Sequence, residues 1–425
     1  MSVIDVFGLI GILLIIGFLA DFLFKKTHFP DILILLALGF LIGPVLKWVD
    51  PAQLAPYSQL IASLALVVII FNAGIEYEFA KVWSCAPRSL ILVLFGVAFS
   101  IAAVAAPAYF LFGWKLIDSI LLGTVVGGTS SAIVIPLMSR IRVSEQVSSL
   151  ISLESVLNSP VIIVIALVLL ESIVAGEAGV SLSTVGVDIV TQILLGLSVG
   201  VIAGLFWLWI LTLLQKEEYN DIVTLAVVFL LYFAVESING SGVISALVFG
   251  LILGNGVGVS KLLKLKRTAE ATQIMRKFTA QIYFFIKTFF FIYLGLIISF
   301  DDPMLVVAGV VFSLILVLVR YIAVLLTSIG NPTLFSNRGL LTTMLARGES
   351  AAVLVQMVVA AGIINAAFYP DIVMSIIITT VIISALGILI YGKDEVAEEA
   401  DSEPTYTANP AQENNVTSGQ MPNKI

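Results

Sequence analysis

Cysteine and histidine are almost missing from this 425-residue chain, which has one of each, Cys85 and His28. A single cysteine excludes a disulfide within the chain and any multi-cysteine metal site. A single histidine leaves no zinc cluster and no histidine-paired nucleophile, and no lysine follows Gly127 and Gly128 to complete a phosphate-binding loop. The sequence therefore predicts no enzymatic activity, no cofactor, no resident metal and no nucleic-acid partner.

Charged residues are also scarce, at 12% of the chain against 60% hydrophobic residues, and the mean hydropathy is +1.13. A soluble protein carries about twice that charged fraction. The composition therefore indicates an all-α polytopic membrane protein. Apolar runs of about 20 residues, the length needed to cross a bilayer, occur in about thirteen places: 4–24, 32–49, 57–75, 89–113, 116–138, 148–171, 183–214, 221–238, 242–258, 275–299, 304–328, 338–362 and 370–392.

Charge placement predicts the orientation of these segments. Basic residues collect in alternate loops, from Lys25 and Lys26 to the run 261–267, whereas the other loops are mostly acidic. Basic loops stay in the cytoplasm, so we expect the N-terminus outside, the C-terminus inside, and an integral protein of a prokaryotic plasma membrane. Residues 1–392 then form one transmembrane domain. The acidic, polar residues 393–425 are predicted to be a disordered cytoplasmic tail.

Two of the apolar runs, 116–138 and 338–362, are interrupted by polar residues near the middle. The first contains Gly-Gly-Thr-Ser-Ser and then Pro136, and the second contains Ala-Arg-Gly-Glu-Ser. Both are predicted to be broken helices, because polar backbone inside a membrane is tolerated where it lines a cavity. They occupy matching positions if the chain consists of two inverted repeats around a seventh helix. Such paired interruptions mark the binding site of a secondary transporter.

The segment that follows the first interruption carries polar residues on one helical face. Glu154 and Asn158 are one turn apart, with Ser155 and Ser159 beside them. An ionisable group at this depth in a membrane indicates a functional site. Together with the broken helices, these residues predict a mid-membrane site for a small cation.

These motifs carry a resemblance to a known family. The pattern T-S-S followed by E-S-x-x-N-S, the stretches PDILILLALGFLIGP, FNAGIE and ARGESAAVL, and the late Arg320 resemble the NhaP-type cation/proton antiporters. That family is a branch of the monovalent cation:proton antiporter superfamily, and its usual pattern is T-D-P followed by E-S-x-x-N-D. This chain matches it at Thr129, Glu154, Ser155 and Asn158. Both family aspartates are serines here, Ser130 and Ser159.

The resemblance implies exchange of Na⁺ or K⁺ for H⁺ by alternating access, two broken helices that cross beside the ion site, and a homodimer in contact with membrane lipids. Hydroxyl groups, the Asn158 amide and unwound carbonyls would complete an all-oxygen shell around the cation. The shell hydroxyls belong to Thr129, Ser130, Ser155 and Ser159. With one carboxylate, one proton is exchanged per cation. Two alternatives remain at this point: a transporter of the same fold for an anion or a neutral solute, and a non-transporting membrane sensor or subunit.

Five charged residues fall inside apolar segments and need partners or a function. In the family, an arginine late in the sequence pairs with the glutamate that matches Glu154, so we expect Arg320 to form this ion pair. Glu154 is then either a structural partner or the carrier of ion and proton. Glu349 is expected to pair with Arg347, or alternatively to supply the carboxylate that the two serines have replaced. Lys287 is expected to pair across helices or to extend toward one membrane face.

Overall fold

The computed structural model describes residues 3–27, 31–49, 58–77, 86–139, 141, 143–174, 182–213, 219–262, 273–298, 300 and 302–391. All regular structure within these ranges is helical, as the sequence predicts. The predicted tail at 393–425, the loop arginines at 140 and 142, and residues 263–267 of the basic run lie outside the described residues.

Helices occupy each of the apolar stretches identified in the sequence. The first half contains α1 (Val3–Thr27), α2 (Asp31–Phe40) with a π-helical turn (Leu41–Val45), α3 (Ser58–Glu76), α4 (Ala86–Phe110), α5 (Leu116–Val125), α6 (Ser131–Met138) and α7 (Glu145–Val174). The second half contains α8 (Leu182–Leu213), α9 (Asn220–Glu236), α10 (Gly242–Gly254), α11 (Gly256–Leu262), α12 (Gln273–Ile297), α13 (Pro303–Ser328), α14 (Pro332–Ser336), α15 (Arg338–Thr343), α16 (Glu349–Ala361), a 3₁₀ turn (Ala366–Phe368) and α17 (Tyr369–Tyr391).

Seven helices of the described chain are long and apolar enough to cross a membrane, namely α3, α4, α7, α8, α12, α13 and α17. Five shorter apolar helices of 10–17 residues accompany them, including α5, α10 and α16. Helices suit these apolar runs because every backbone polar group is bonded within the helix, which a hydrocarbon environment requires. The structure is therefore that of a polytopic membrane protein.

Helix packing confirms the internal repeat. Helix α2 packs on α12 as α3 packs on α10, and α4 contacts α7 as α13 contacts α17. These are equivalent pairs when α1–α7 is matched with α9–α17. The first two pairs also share a close backbone approach at glycine: a Cβ on Gly74 would lie 2.5 Å from the carbonyl oxygen of Leu247, and a Cβ on Gly39 would overlap the backbone of Ile292. Small residues permit such contacts between membrane helices.

The helices form two groups. We call α4–α7 with α13–α17 the site bundle, and α1–α3 with α8–α12 the panel. Contacts between the groups run mostly from α3 to α16 and from α7 to α8 and α10. The candidate site lies in the site bundle where it faces α3 of the panel.

Candidate functional site

Both interrupted helices are broken as predicted, and the two breaks meet. Helix α5 ends at Val125 and α6 begins at Ser131, while α15 ends at Thr343 and α16 begins at Glu349. The backbone N–H of Ser130 donates to the carbonyl oxygen of Ala346 at 2.8 Å. This bond joins the last residue of the first break to the middle of the second, so the broken helices cross at this point.

Side chains satisfy the backbone groups that the breaks release. The Arg347 guanidinium donates to the carbonyl oxygen of Gly127 at 2.8 Å and to the Ser100 hydroxyl at 3.1 Å. The Arg347 N–H donates to the Thr380 hydroxyl of α17 at 3.0 Å. The expected ion pair between Arg347 and Glu349 is not formed, because the guanidinium is turned toward the unwound backbone of the other broken helix. Unwound backbone at membrane depth needs such partners.

Glu349 lies at the crossing, as the first residue of α16. The Ser130 hydroxyl donates to one of its carboxylate oxygens, and the N–H of Ala132 in the first turn of α6 donates to the other at 3.4 Å. Two helix N-termini, those of α6 and α16, therefore face this carboxylate, which is 5% exposed, and their dipoles favour its negative charge. A Cβ on Gly348 would lie 2.6 Å from the Ser130 hydroxyl, so only glycine permits this approach. Glu349 thus brings a carboxylate to Ser130, one of the two serines predicted to stand where the resembling family has an aspartate.

Glu154 has a different environment in the middle of α7. The Arg320 guanidinium of α13 donates to both of its oxygens, at 3.1 and 3.2 Å, which is the ion pair that the resemblance implied. The Thr129 hydroxyl at 3.2 Å and the Asn158 amide at 2.8 Å also donate to the carboxylate. Glu154 is 1% exposed and has donors on both oxygens. A charge buried this deeply is stable because it is paired and hydrogen-bonded.

The remaining predicted hydroxyls differ in what they face. Ser155 donates to the carbonyl oxygen of Ser152 in its own helix at 3.0 Å. Ser159 donates to the carbonyl oxygen of Thr129 in the unwound segment at 3.3 Å. The predicted site residues therefore divide into two sets. Thr129 and Asn158 belong with Glu154 and Arg320, whereas Ser130 lies against Glu349.

A cavity of about 490 Å³ lies between the panel and the site bundle, and Glu349 is part of its wall. Lys287 of α12 also lines it and forms an ion pair with Asp31 of α2 at 2.6 Å. Lys287 therefore pairs across helices, which is one of the two expectations for it, with a partner that its position in the sequence does not indicate. The cavity's other charged residues are Asp21 and Glu76.

Comparisons with known proteins bear on the family and the fold of this chain. The profile of the family described as "Sodium/hydrogen exchanger, transmembrane" matches residues 10–389. The K(+)/H(+) antiporter NhaP2 of Shewanella sp. (strain ANA-3) is 30% identical over 258 residues, which is 59% of this chain but only 44% of that protein. A probable Na(+)/H(+) antiporter 2 of Methanocaldococcus jannaschii is 26% identical over 312 residues, covering 70% of this chain and 71% of that protein. The solved structure of the sodium proton antiporter MjNhaP1 from the same organism has a TM-score of 0.74 and 21% identity, and the match covers 92% of this chain and 97% of that one. At this sequence identity, the likeness to MjNhaP1 is a likeness of fold.

Proposed function

Because this chain belongs to the sodium/hydrogen exchanger family, we propose that it is a secondary transporter that exchanges a monovalent cation, Na⁺ or K⁺, for protons. The observation that carries the proposal is Glu349. It is a buried carboxylate at the crossing of two broken helices, and it lines a large cavity between two groups of helices. A carboxylate in such a position binds either a proton or a cation, and competition between them couples the two fluxes.

Glu154 is assigned a structural role in this mechanism. Its two oxygens accept from Arg320, Thr129 and Asn158, so a cation would have to displace bonded donors to reach it. Removing one partner of a buried ion pair leaves the other charge uncompensated. The pair therefore holds α7 to α13 and fixes the frame in which the broken helices cross.

Glu349 has weaker bonding and is the proposed carrier. Only the Ser130 hydroxyl and one backbone N–H donate to it among the described residues. Protonation removes its negative charge and releases the cation, and loss of the proton restores the binding site. One titrating carboxylate per site corresponds to one proton per cation, so the proposed cycle is electroneutral.

Alternating access follows from the position of the cavity. Its walls include the ends of α1, α2, α3 and α7 that adjoin the loops predicted to be cytoplasmic. We infer that this conformation is open to the cytoplasm and that movement of the site bundle against the panel exposes Glu349 to the opposite side. The protein is proposed to act as a homodimer in a prokaryotic plasma membrane, with the N-terminus outside and the C-terminus in the cytoplasm.

The cavity's charges favour a cation over an anion. Asp21, Asp31, Glu76 and Glu349 line it, and Lys287 is the one basic residue among its described lining residues. Lys287 is already paired with Asp31. Arg320 is paired with Glu154 away from the cavity, so the described lining residues include no unpaired positive group that could hold an anionic substrate.

Proton flux in proteoliposomes containing the purified full chain tests the proposal. An outward gradient of Na⁺ or K⁺ should drive proton uptake, reported by a pH-sensitive dye inside the vesicles. The flux should be insensitive to the membrane potential, because the cycle moves no net charge. Absence of flux with Na⁺, K⁺, Li⁺ and Rb⁺ would contradict exchange and favour a non-transporting role.

A further inference from the structure

A second, much smaller cavity lies behind Glu349, between the site bundle and α3. Its volume is about 10 Å³. A cavity needs about 10–15 Å³ on this measure to hold one water molecule. The space therefore fits a single particle of that size and excludes an ion with its hydration shell.

The polar residues that line this cavity all belong to the site bundle, from which Val156, Ile163 and Val353 line it as well. The Glu349 carboxylate and three serines, Ser131, Ser159 and Ser350, line it from the site bundle. The α3 side consists of aliphatic residues, among them Ile69 and Ile70. Four oxygen-bearing side chains thus line the space from the site bundle, and the described residues that line it from the panel are all aliphatic.

Ser350 points to a ligand in this space. Its side chain is 2% exposed, and within the described part of the chain its hydroxyl has no hydrogen-bond partner. A buried hydroxyl without a partner is unfavourable by about 1–3 kcal/mol, and a bound water or ion beside it would remove that penalty. Ser159 donates its proton to the Thr129 carbonyl, which leaves its oxygen lone pairs free to coordinate a cation.

We propose that this cavity is the occluded binding site for the dehydrated cation, with Glu349, Ser131, Ser159 and Ser350 as its ligands. The proposal rests on the exchange function above and adds its ligand set. Hard monovalent cations prefer oxygen ligands, and one carboxylate with three hydroxyls supplies one negative charge and four oxygen groups. The cation would enter through the large cavity, lose its water at Glu349, and be shielded by the aliphatic side of α3.

Ser350→Ala is the decisive variant, because it removes an oxygen ligand without touching the carboxylate that carries the proton. Equilibrium binding of ²²Na⁺ and ⁸⁶Rb⁺ to the purified full chain should weaken about ten-fold or more, the usual consequence of losing a polar contact to a charged partner. In proteoliposomes the cation KM should rise by a similar factor. Ser350→Thr keeps the hydroxyl but adds a methyl group to a one-particle space, so it should weaken ⁸⁶Rb⁺ binding more than ²²Na⁺ binding.

Ser313→Ala is the matched control. Ser313 is buried on α13, and its hydroxyl donates to the Gly309 carbonyl of its own helix at 2.8 Å, so its loss should leave binding unchanged. Unchanged affinity in Ser350→Ala, with exchange intact in the native protein, would overturn the occluded site and leave the exchange function standing. Absence of exchange in the native protein would instead overturn the function itself. Weakened binding in both Ser350→Ala and Ser313→Ala would indicate a general packing effect and would also count against the site.

Discussion

Glu154 and Glu349 are both buried carboxylates beside the same helix crossing, yet their surroundings are opposite. Glu154 accepts from a guanidinium on both oxygens and from two neutral donors, and it lies away from the cavities. Glu349 accepts from one hydroxyl and one backbone N–H, and it lines both the large cavity and the small one. We therefore propose different roles for the two residues. Glu154, which is fully paired, stabilises the packing of α7 against α13, and Glu349, which has fewer donors, can exchange its ligand.

The comparison also bears on Ser130, where the resemblance predicts an aspartate. Its hydroxyl bonds to the carboxylate of Glu349. We propose that Glu349, from the second broken helix, supplies the negative charge at this position.

The largest expected effect is that of Glu349→Gln. The amide keeps the size of the side chain but can neither release a proton nor offer a negative charge, so cation-dependent proton flux should be abolished. Thermal stability should stay close to that of the native protein. Glu236→Gln is the matched control, since Glu236 bonds to the N–H of Gly242 and does not line either cavity. Retained flux in Glu349→Gln would exclude Glu349 as the carrier.

A large effect on stability is expected for the other carboxylate. Arg320→Ala leaves Glu154 buried without its ion-pair partner, which should lower the free energy of unfolding by about 3–5 kcal/mol. The yield and the melting temperature in detergent should fall. The double variant Arg320→Leu with Glu154→Leu should recover much of the loss, because neither charge is then left alone. Additive losses in the double variant would mean that the two residues do not form one interaction.

A change of pH profile is expected for Ser159→Asp. The new carboxylate would share the small cavity with Glu349 and add a second group that binds a proton or a cation in the same space. The pH dependence of exchange should therefore differ from that of the native protein. Ser155→Asp provides a comparison, because Ser155 bonds within its own helix and lines neither cavity. If the pH profile is unaltered in Ser159→Asp, residue 159 does not share a binding site with Glu349.

The smallest effect is expected for Asp31→Asn. The ion pair of Asp31 with Lys287 lines the large cavity, where water can solvate the remaining ammonium group. We expect the free energy of unfolding to fall by less than in Arg320→Ala, and the melting temperature to stay above that of Arg320→Ala. A loss as large as that of Arg320→Ala would show that this pair is not hydrated.

Much of the fold could be predicted from the sequence, because the membrane restricts what a chain can do. Apolar runs such as 148–171 have to be helices, and polar interruptions such as Gly127 to Ser131 have to be breaks that lie inside protein. The contact between Arg320 and Glu154 was expected as well, but from the resemblance to a family rather than from spacing. The orientation of the termini remains a prediction from charge placement.

The partners of Glu349, Arg347 and Lys287 were decided by tertiary structure alone. Arg347 and Glu349 are two residues apart in the sequence. Because the helix is interrupted here, the Arg347 side chain reaches the Gly127 carbonyl and the Glu349 side chain reaches the Ser130 hydroxyl. Lys287 meets Asp31, which is 256 positions away in the sequence. The sequence determines which groups are too costly to leave unpaired in a membrane. It does not determine which of them meet, because that depends on how the two repeats pack and where the broken helices cross.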